Sequence, residues 1–274
     1  MDRATLHDRR ARTVEWRDLL ALSAAERVRE LLLSAPWLAL SLVLAHYGVY
    51  SLALAASFVF FLAGLRQAHG AFHQSLGLSW RATEAVLFVL SSVMLCSLHA
   101  VRFNHLRHHR HCLDASDVEA MGARGSALRA LLIGPHFTWR IHATAWREGD
   151  ARVRRRIGLE LAGAVALIVC GCAWLGSSAL AYHYAAMALA QCLTAFFAVW
   201  TVHRGCERTP GLARTLRGRW KSAVTLQMFF HAEHHLFPAV PTCRLRALAD
   251  RLDRAAPELR ALPVLQTRFS RTGS

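Results

Sequence analysis

The sequence predicts an all-α integral membrane protein, with about four transmembrane helices in two hairpins and a helical cap on the cytoplasmic side. Three observations carry that expectation. The 274-residue chain is 54% hydrophobic with a mean hydropathy of +0.25, high for a soluble domain. Its apolar residues gather into stretches near the ~20 residues that cross a bilayer as helix. Its 33 Lys and Arg residues lie almost wholly between those stretches.

The elements follow in order. Residues 1–33 form a charged N-terminal segment without the continuous apolar run of a cleaved signal. Residues 35–65 are almost unbroken apolar sequence, too long for one untilted span, and His46-Tyr47-Gly48 divides them into a hairpin whose first helix is short or tilted. Residues 66–156 form a long middle region. Within it the apolar stretch Ala85–Leu98 suits an embedded or re-entrant segment, and Ala127–Ile133 has amphipathic character. Arg152–Arg156 reads as an interfacial anchor for the span that follows. Residues 157–202 form the second hairpin, with spans at Ile157–Leu175 and Ala185–Val202 joined by Gly176–Tyr184. Residues 203–274 complete the cap. There Thr209-Pro210-Gly211 signals a turn, and Leu245, Leu248 and Leu252 share one face of an amphipathic helix over Cys243–Ala255, on the cap or the membrane surface. Without repeats or a linker, residues 1–274 read as one domain.

Charge orients the chain. Seven basic residues precede residue 30, eleven lie from Arg102 to Arg156 and thirteen follow Val202, leaving Arg66 and Arg81. The two hairpin turns carry none, so both termini and the middle region are expected in the cytoplasm. The formal charge of +15 is spread beside the spans without a nucleic-acid recognition motif. Contact with anionic head groups is therefore the expectation, and nucleic acid is not. The seven cysteines form no CxxC pair and no disulfide framework, and Cys170 and Cys172 read as packing residues.

Ten of the sixteen histidines fall in three clusters and one outlier. The clusters are His69-Gly-Ala-Phe-His73; His105-Leu-Arg-His108-His109 with His111 behind; and His231-Ala-Glu-His234-His235. His203 closes the last apolar run. Positions i, i+3 and i+4 share a helix face, so each cluster aims its imidazoles at one point. HxxxH alone is a common surface pattern, whereas HxxHH twice is not. Nine imidazoles exceed the four to six donors one ion takes, which points to two neighbouring ions, and an oxygen-activating iron pair suits the donor set.

These motifs resemble those of the membrane fatty acid desaturase and hydroxylase superfamily, whose three histidine boxes have the forms HxxxH or HxxxxH, HxxHH and (H/Q)xxHH. The likeness extends past the second box through His111, Asp114 and Asp117, and past the third through Leu236-Phe237-Pro238. His203 matches an extra histidine ligand of that family. Gly70 departs from it, since many desaturases carry an acidic residue directly after the first histidine. The resemblance implies a non-haem di-iron centre held by His69, His73, His105, His108, His109, His203, His231, His234 and His235, in a helical cap over the spans. It implies dioxygen as co-substrate and a lipid acyl chain as substrate, with insertion of a C=C bond as the activity. Hydroxylation or ketolation of a carotenoid, sterol or sphingolipid is the alternative. Asp114, Asp117 and Glu233 are expected to accept hydrogen bonds from imidazole N–H groups or to be solvated. His99 and His111 are weaker candidates, and His7, His46, His136, His142 and His183 are expected at the surface or interface.

Other classes fit poorly. HExxH of zinc proteases and the paired ExxH motifs of soluble di-iron bundles are absent. A metal transporter would place ligands near mid-span rather than at one edge. The chain has no iron-sulfur, haem or dinucleotide-binding signature, so electrons are expected from a separate ferredoxin, or a small cytochrome with its reductase, docking on the basic cap.

Overall fold

The computed structural model describes residues 11–209, 212–259 and 261–265. Among these, the regular structure is helical apart from isolated bridges from Thr215 to Phe230 and Pro263. His7 and the Pro210-Gly211 part of the expected turn lie outside the described residues.

Helix α1 (Ala24–Leu31) starts at a reciprocal cap between Ser23 and Glu26. Helices α2 (Ala35–His46) and α3 (Tyr50–Phe72) form the first hairpin, turning where the sequence predicts. Gly48 there has φ +73°, a backbone that side chains disfavour. Helix α3 runs past the expected end of the span, which puts His69 on the same rigid rod. Helix α4 (Trp80–Met94) stops at Leu95, which adopts a left-handed φ of 57°. Helix α5 (Leu98–His111) leaves at 113° to α4, so this segment doubles back instead of running straight. Ser97 caps α5, and the buried Glu160 carboxylate accepts from the His99 backbone N–H at 3.1 Å, where the helix dipole favours an anion.

Short helices α6 (Ala120–Ala123) and α7 (Ala127–Leu132) precede α8 (Gly134–Glu148). On α7, where the sequence suggests amphipathic character, Leu128 and Leu132 are exposed and Ala130 is buried. Helix α9 (Ala151–Ile168) continues as a π-helical stretch over Val169–Trp174 and turns at Gly176, φ +61°. Cys170 is exposed on that stretch, contrary to the packing role expected of it. Helix α10 (Ser178–Gln191) begins seven residues earlier than the expected span, because the Ser177 hydroxyl caps it by accepting from Leu180 N–H. A π-helical turn over Ala195–Trp200 and helix α11 (Thr201–His203) follow, bent by 41° from α10. The cap adds α12 (Arg219–Val224), α13 (His231–Leu236) and α14 (Leu245–Ala255).

By length and composition three helical stretches can cross a membrane, 24–46, 50–72 and 151–174, or up to five if each bent pair is one span. The main core packs Phe60 and Phe61 of α3, Leu87 and Met94 of α4, Leu98 of α5 and Met187 of α10. A second core sits in the cap. Leu245, Leu248 and Leu252 of α14 bury against Val14 and Leu19 from the N-terminal segment and against Phe230, Leu236 and Phe237. At about 1.5–3 kcal/mol for each large side chain, that burial holds α14 in the cap and braces α13. The bidentate pair of Arg251 with Asp18 closes the same junction.

Candidate metal centre

Four separate elements converge on one buried point. Helix α3 contributes His69 and, as its capping residue, His73; α5 contributes His105, His108 and His109; α11 ends in His203; α13 carries His231, His234 and His235. The structure thus brings together all nine histidines singled out by the sequence.

Their nitrogens divide into two sets. In the first, His105 Nε2 stands 3.1 Å from both His73 Nε2 and His109 Nε2, and His109 Nε2 stands 3.1 Å from His234 Nε2. His69 joins it with its ring 4.1 Å from that of His234, and its buried Nε2 has no hydrogen-bond partner. The donor atoms of these five residues lie within 4.8 Å of one another. In the second set, His203 Nε2 stands 3.1 Å from His108 Nε2 and 2.9 Å from His231 Nε2, which is 3.2 Å from His235 Nε2. The sets abut where the His109 and His235 rings stack at 4.4 Å.

The outer nitrogens decide what can occupy these spaces. His108 Nδ1 lies 2.7 Å from Asp117 Oδ2, and His203 Nδ1 lies 2.8 Å from the Leu212 carbonyl. Both oxygens accept, so both Nδ1 atoms carry the proton and each Nε2 is turned inward; against the cost of burial, Cys112 and Asp117 hold His108 well above the usual histidine range, so that without a metal its Nε2 keeps a second proton. The two Nε2 atoms face each other at 3.1 Å, so either a proton on His108, in the metal-free protein, or a metal ion stands between them. A metal–imidazole bond of about 2.1 Å places ligand nitrogens roughly 3.0 Å apart at a right angle and roughly 3.4 Å apart at the tetrahedral angle. The residues present therefore fit a metal ion in each set.

Burial, reinforced by the neighbouring imidazoles, pushes His231, His234 and His235 well below the usual histidine range, which keeps them neutral donors. Asp117, by contrast, stays charged. Burial opposes its ionisation, but the His108 hydrogen bond and the N–H groups of Leu113 and Glu119 hold its carboxyl below its ordinary value.

The outer residues differ from the sequence reading in several places. Asp117 is buried and bonds His108 as expected, whereas Asp114 is exposed and only approaches the partly exposed His111, at 3.9 Å. Glu233 meets no imidazole. It accepts from Arg217 at 2.7 and 2.9 Å and from Thr215 at 2.7 Å, and so pins α13 to the preceding loop. His99 lies apart from the centre, between Glu160 at 2.7 Å and Glu84 at 3.2 Å. His46 and His136 are exposed as expected. His183 is not: it is buried and donates from Nε2 to the Val93 carbonyl at 2.8 Å. His142, partly buried, donates to the Thr138 carbonyl and accepts from Ser97 N–H, tying α8 to the start of α5. The bonds to Val93 and Ser97 join segments distant in sequence, which isolated histidines in the primary structure do not announce.

Two participants escaped sequence reasoning. Glu119 is buried with Oε2 3.4 Å from His105 Nδ1; its place two residues after Asp117 was the available signal. Arg217 had none beyond membership of a basic run.

A cavity reaches this centre. Leu65, Phe72, Val101, Phe137, Ile141 and Phe197 form apolar walls, and His69, His105, Glu119 and His231 lie in the same lining. No curated protein matches the chain at significant similarity. The family model described as fatty acid desaturase matches residues 42–266, from the first hairpin through all three histidine clusters and the cap helix α14. By that match the chain belongs to the fatty acid desaturase family.

Proposed function

We propose that the protein is a fatty acyl desaturase that introduces a C=C bond using dioxygen at a di-iron centre held by the nine histidines. The observation that carries this reading is the apolar cavity whose lining includes His69, His105 and His231, since an alkyl chain seated there lies beside the candidate ligands. Iron, when bound, would activate dioxygen, the oxidant needed to remove hydrogen from an unactivated alkyl carbon, with electrons from the external donor completing its reduction to water; side chains lack that chemistry. The chain's own residues do the rest. Phe72, Phe137, Ile141 and Phe197 exclude water and hold the alkyl chain by apolar contact. Asp117 and the Leu212 carbonyl orient His108 and His203, and Glu119 orients His105. The Arg217–Glu233–Thr215 cluster fixes the helix carrying three of the nine imidazoles.

In this reading the re-entrant α4–α5 segment and four spans leave the centre and both termini on the cytoplasmic side, as the basic segments require. The exposed Arg110, Arg124, Arg208 and Arg246 suit an acidic ferredoxin or small cytochrome as electron donor. The test is expression in a host lacking desaturases, with a reductant system supplied, followed by mass spectrometry of total lipids. Oxygen-dependent loss of two hydrogens from acyl chains supports the proposal. A new hydroxyl or keto group on a pigment, sterol or sphingolipid, with acyl chains unchanged, assigns the alternative chemistry.

A further inference from the structure

We propose that Cys112 is a sulfur donor to the second metal position, making it a site of imidazoles and one thiolate. The proposal rests on the metal-centre reading and adds a donor that the histidine pattern does not contain. Cys112 caps α5 one turn after His108, so its side chain returns to the same face. It is buried, and its Sγ stands 3.6 Å from His108 Nε2 and 3.9 Å from His203 Nδ1. Its sulfur and the donor nitrogens of His108, His203 and His235 all lie within 4.8 Å of one another. The same group has a second feature that a metal ion would satisfy: the Nε2 atoms of His108 and His203 face each other at 3.1 Å, with both Nδ1 protons committed to Asp117 and Leu212.

The distance from Cys112 Sγ to His108 Nε2 agrees with shared coordination. With metal–sulfur and metal–nitrogen bonds of about 2.3 and 2.1 Å, sulfur and nitrogen stand roughly 3.6 Å apart at the tetrahedral angle. Charge favours it as well. Neutral imidazoles bring no charge into direct contact with a buried divalent ion, and a thiolate bonded to it offsets one unit there, closer than the Asp117 carboxylate behind His108. On binding, the Cys112 S–H bond breaks and a sulfur–metal bond forms; the proton leaves to solvent and no electrons are exchanged.

The experiment uses the full-length detergent-solubilised protein, with iron per chain measured on every sample. Iron X-ray absorption should show a sulfur scatterer near 2.3 Å, about half a sulfur per iron when two ions are averaged. Cobalt(II) loading of the metal-free protein should produce a thiolate-to-metal charge-transfer band, absent in Cys112→Ser and retained in Cys96→Ser. Because the unmutated protein alone reports the sulfur, a folding defect in the variant does not blunt the test. Bound iron with only nitrogen and oxygen neighbours, and no cobalt–thiolate band, overturns the role of Cys112. A folded chain that takes up neither metal overturns the underlying metal-centre reading, a distinct result.

Discussion

Replacing Asp117 with Ala should weaken metal binding while leaving the fold in place. The carboxylate makes three contacts: His108 Nδ1–H at 2.7 Å, Leu113 N–H at 3.0 Å and Glu119 N–H at 2.9 Å. The first fixes the His108 tautomer so that Nε2 faces the second donor set. A hydrogen bond to a charged group is worth about 1.5–3 kcal/mol, and loss of an outer partner of a metal-bound histidine commonly lowers metal affinity about 10–100-fold. The two figures agree, since about 1.4 kcal/mol is tenfold. Asp117→Ala is therefore expected to weaken iron binding by one to two orders of magnitude. Competition against a calibrated chelator in detergent reads the affinity, and circular dichroism checks the helices. Asp114→Ala is the internal comparison, because that carboxylate is exposed and should change nothing. A folded Asp117→Ala protein with unchanged iron affinity would refute the reasoning.

Further outcomes follow from the same geometry. His203→Ala should abolish activity and lower iron content, while His136→Ala, at an exposed position, should be close to unmodified protein; equal results for both would remove His203 from the centre. Gly134→Ala should destabilise the fold, because its new Cβ would lie 1.8 Å from the Cys192 carbonyl oxygen; a melting temperature within error of the parent's contradicts the close α8 approach. Metal-free protein should lose stability between pH 7.5 and 5.5, since His231, His234 and His235 stay neutral when folded but take up protons near pH 6.5 when unfolded. Below that pH each contributes a loss of roughly 1.4 kcal/mol per unit, and thermal melts that do not move over the range would show that these rings are not held neutral.

Where the sequence was legible, a single local pattern carried the information. The first hairpin follows from an apolar run interrupted at Gly48, and the amphipathic cap helix from three leucines at helical spacing. The nine histidines were readable because helical spacing in three clusters, with His203 closing an apolar run, already implies convergence. The rest depends on contacts between distant segments. The Leu212 carbonyl that orients His203 belongs to a loop, and the partner of Glu233 is Arg217 because α13 folds back on the preceding strand-like turn. His183 and His142 look isolated in sequence but bond backbone groups of Val93, Thr138 and Ser97. The early start of α10 depends on one serine cap.

Metal content tests the central claim most directly. Protein purified from iron-replete cells, with iron and chain quantified on the same sample, should hold two irons per chain with the magnetic coupling of a neighbouring pair in its Mössbauer spectrum. Simultaneous replacement of His108 and His234, one from each donor set, should remove both irons. A folded, lipid-oxidising protein containing one iron or none would contradict the account.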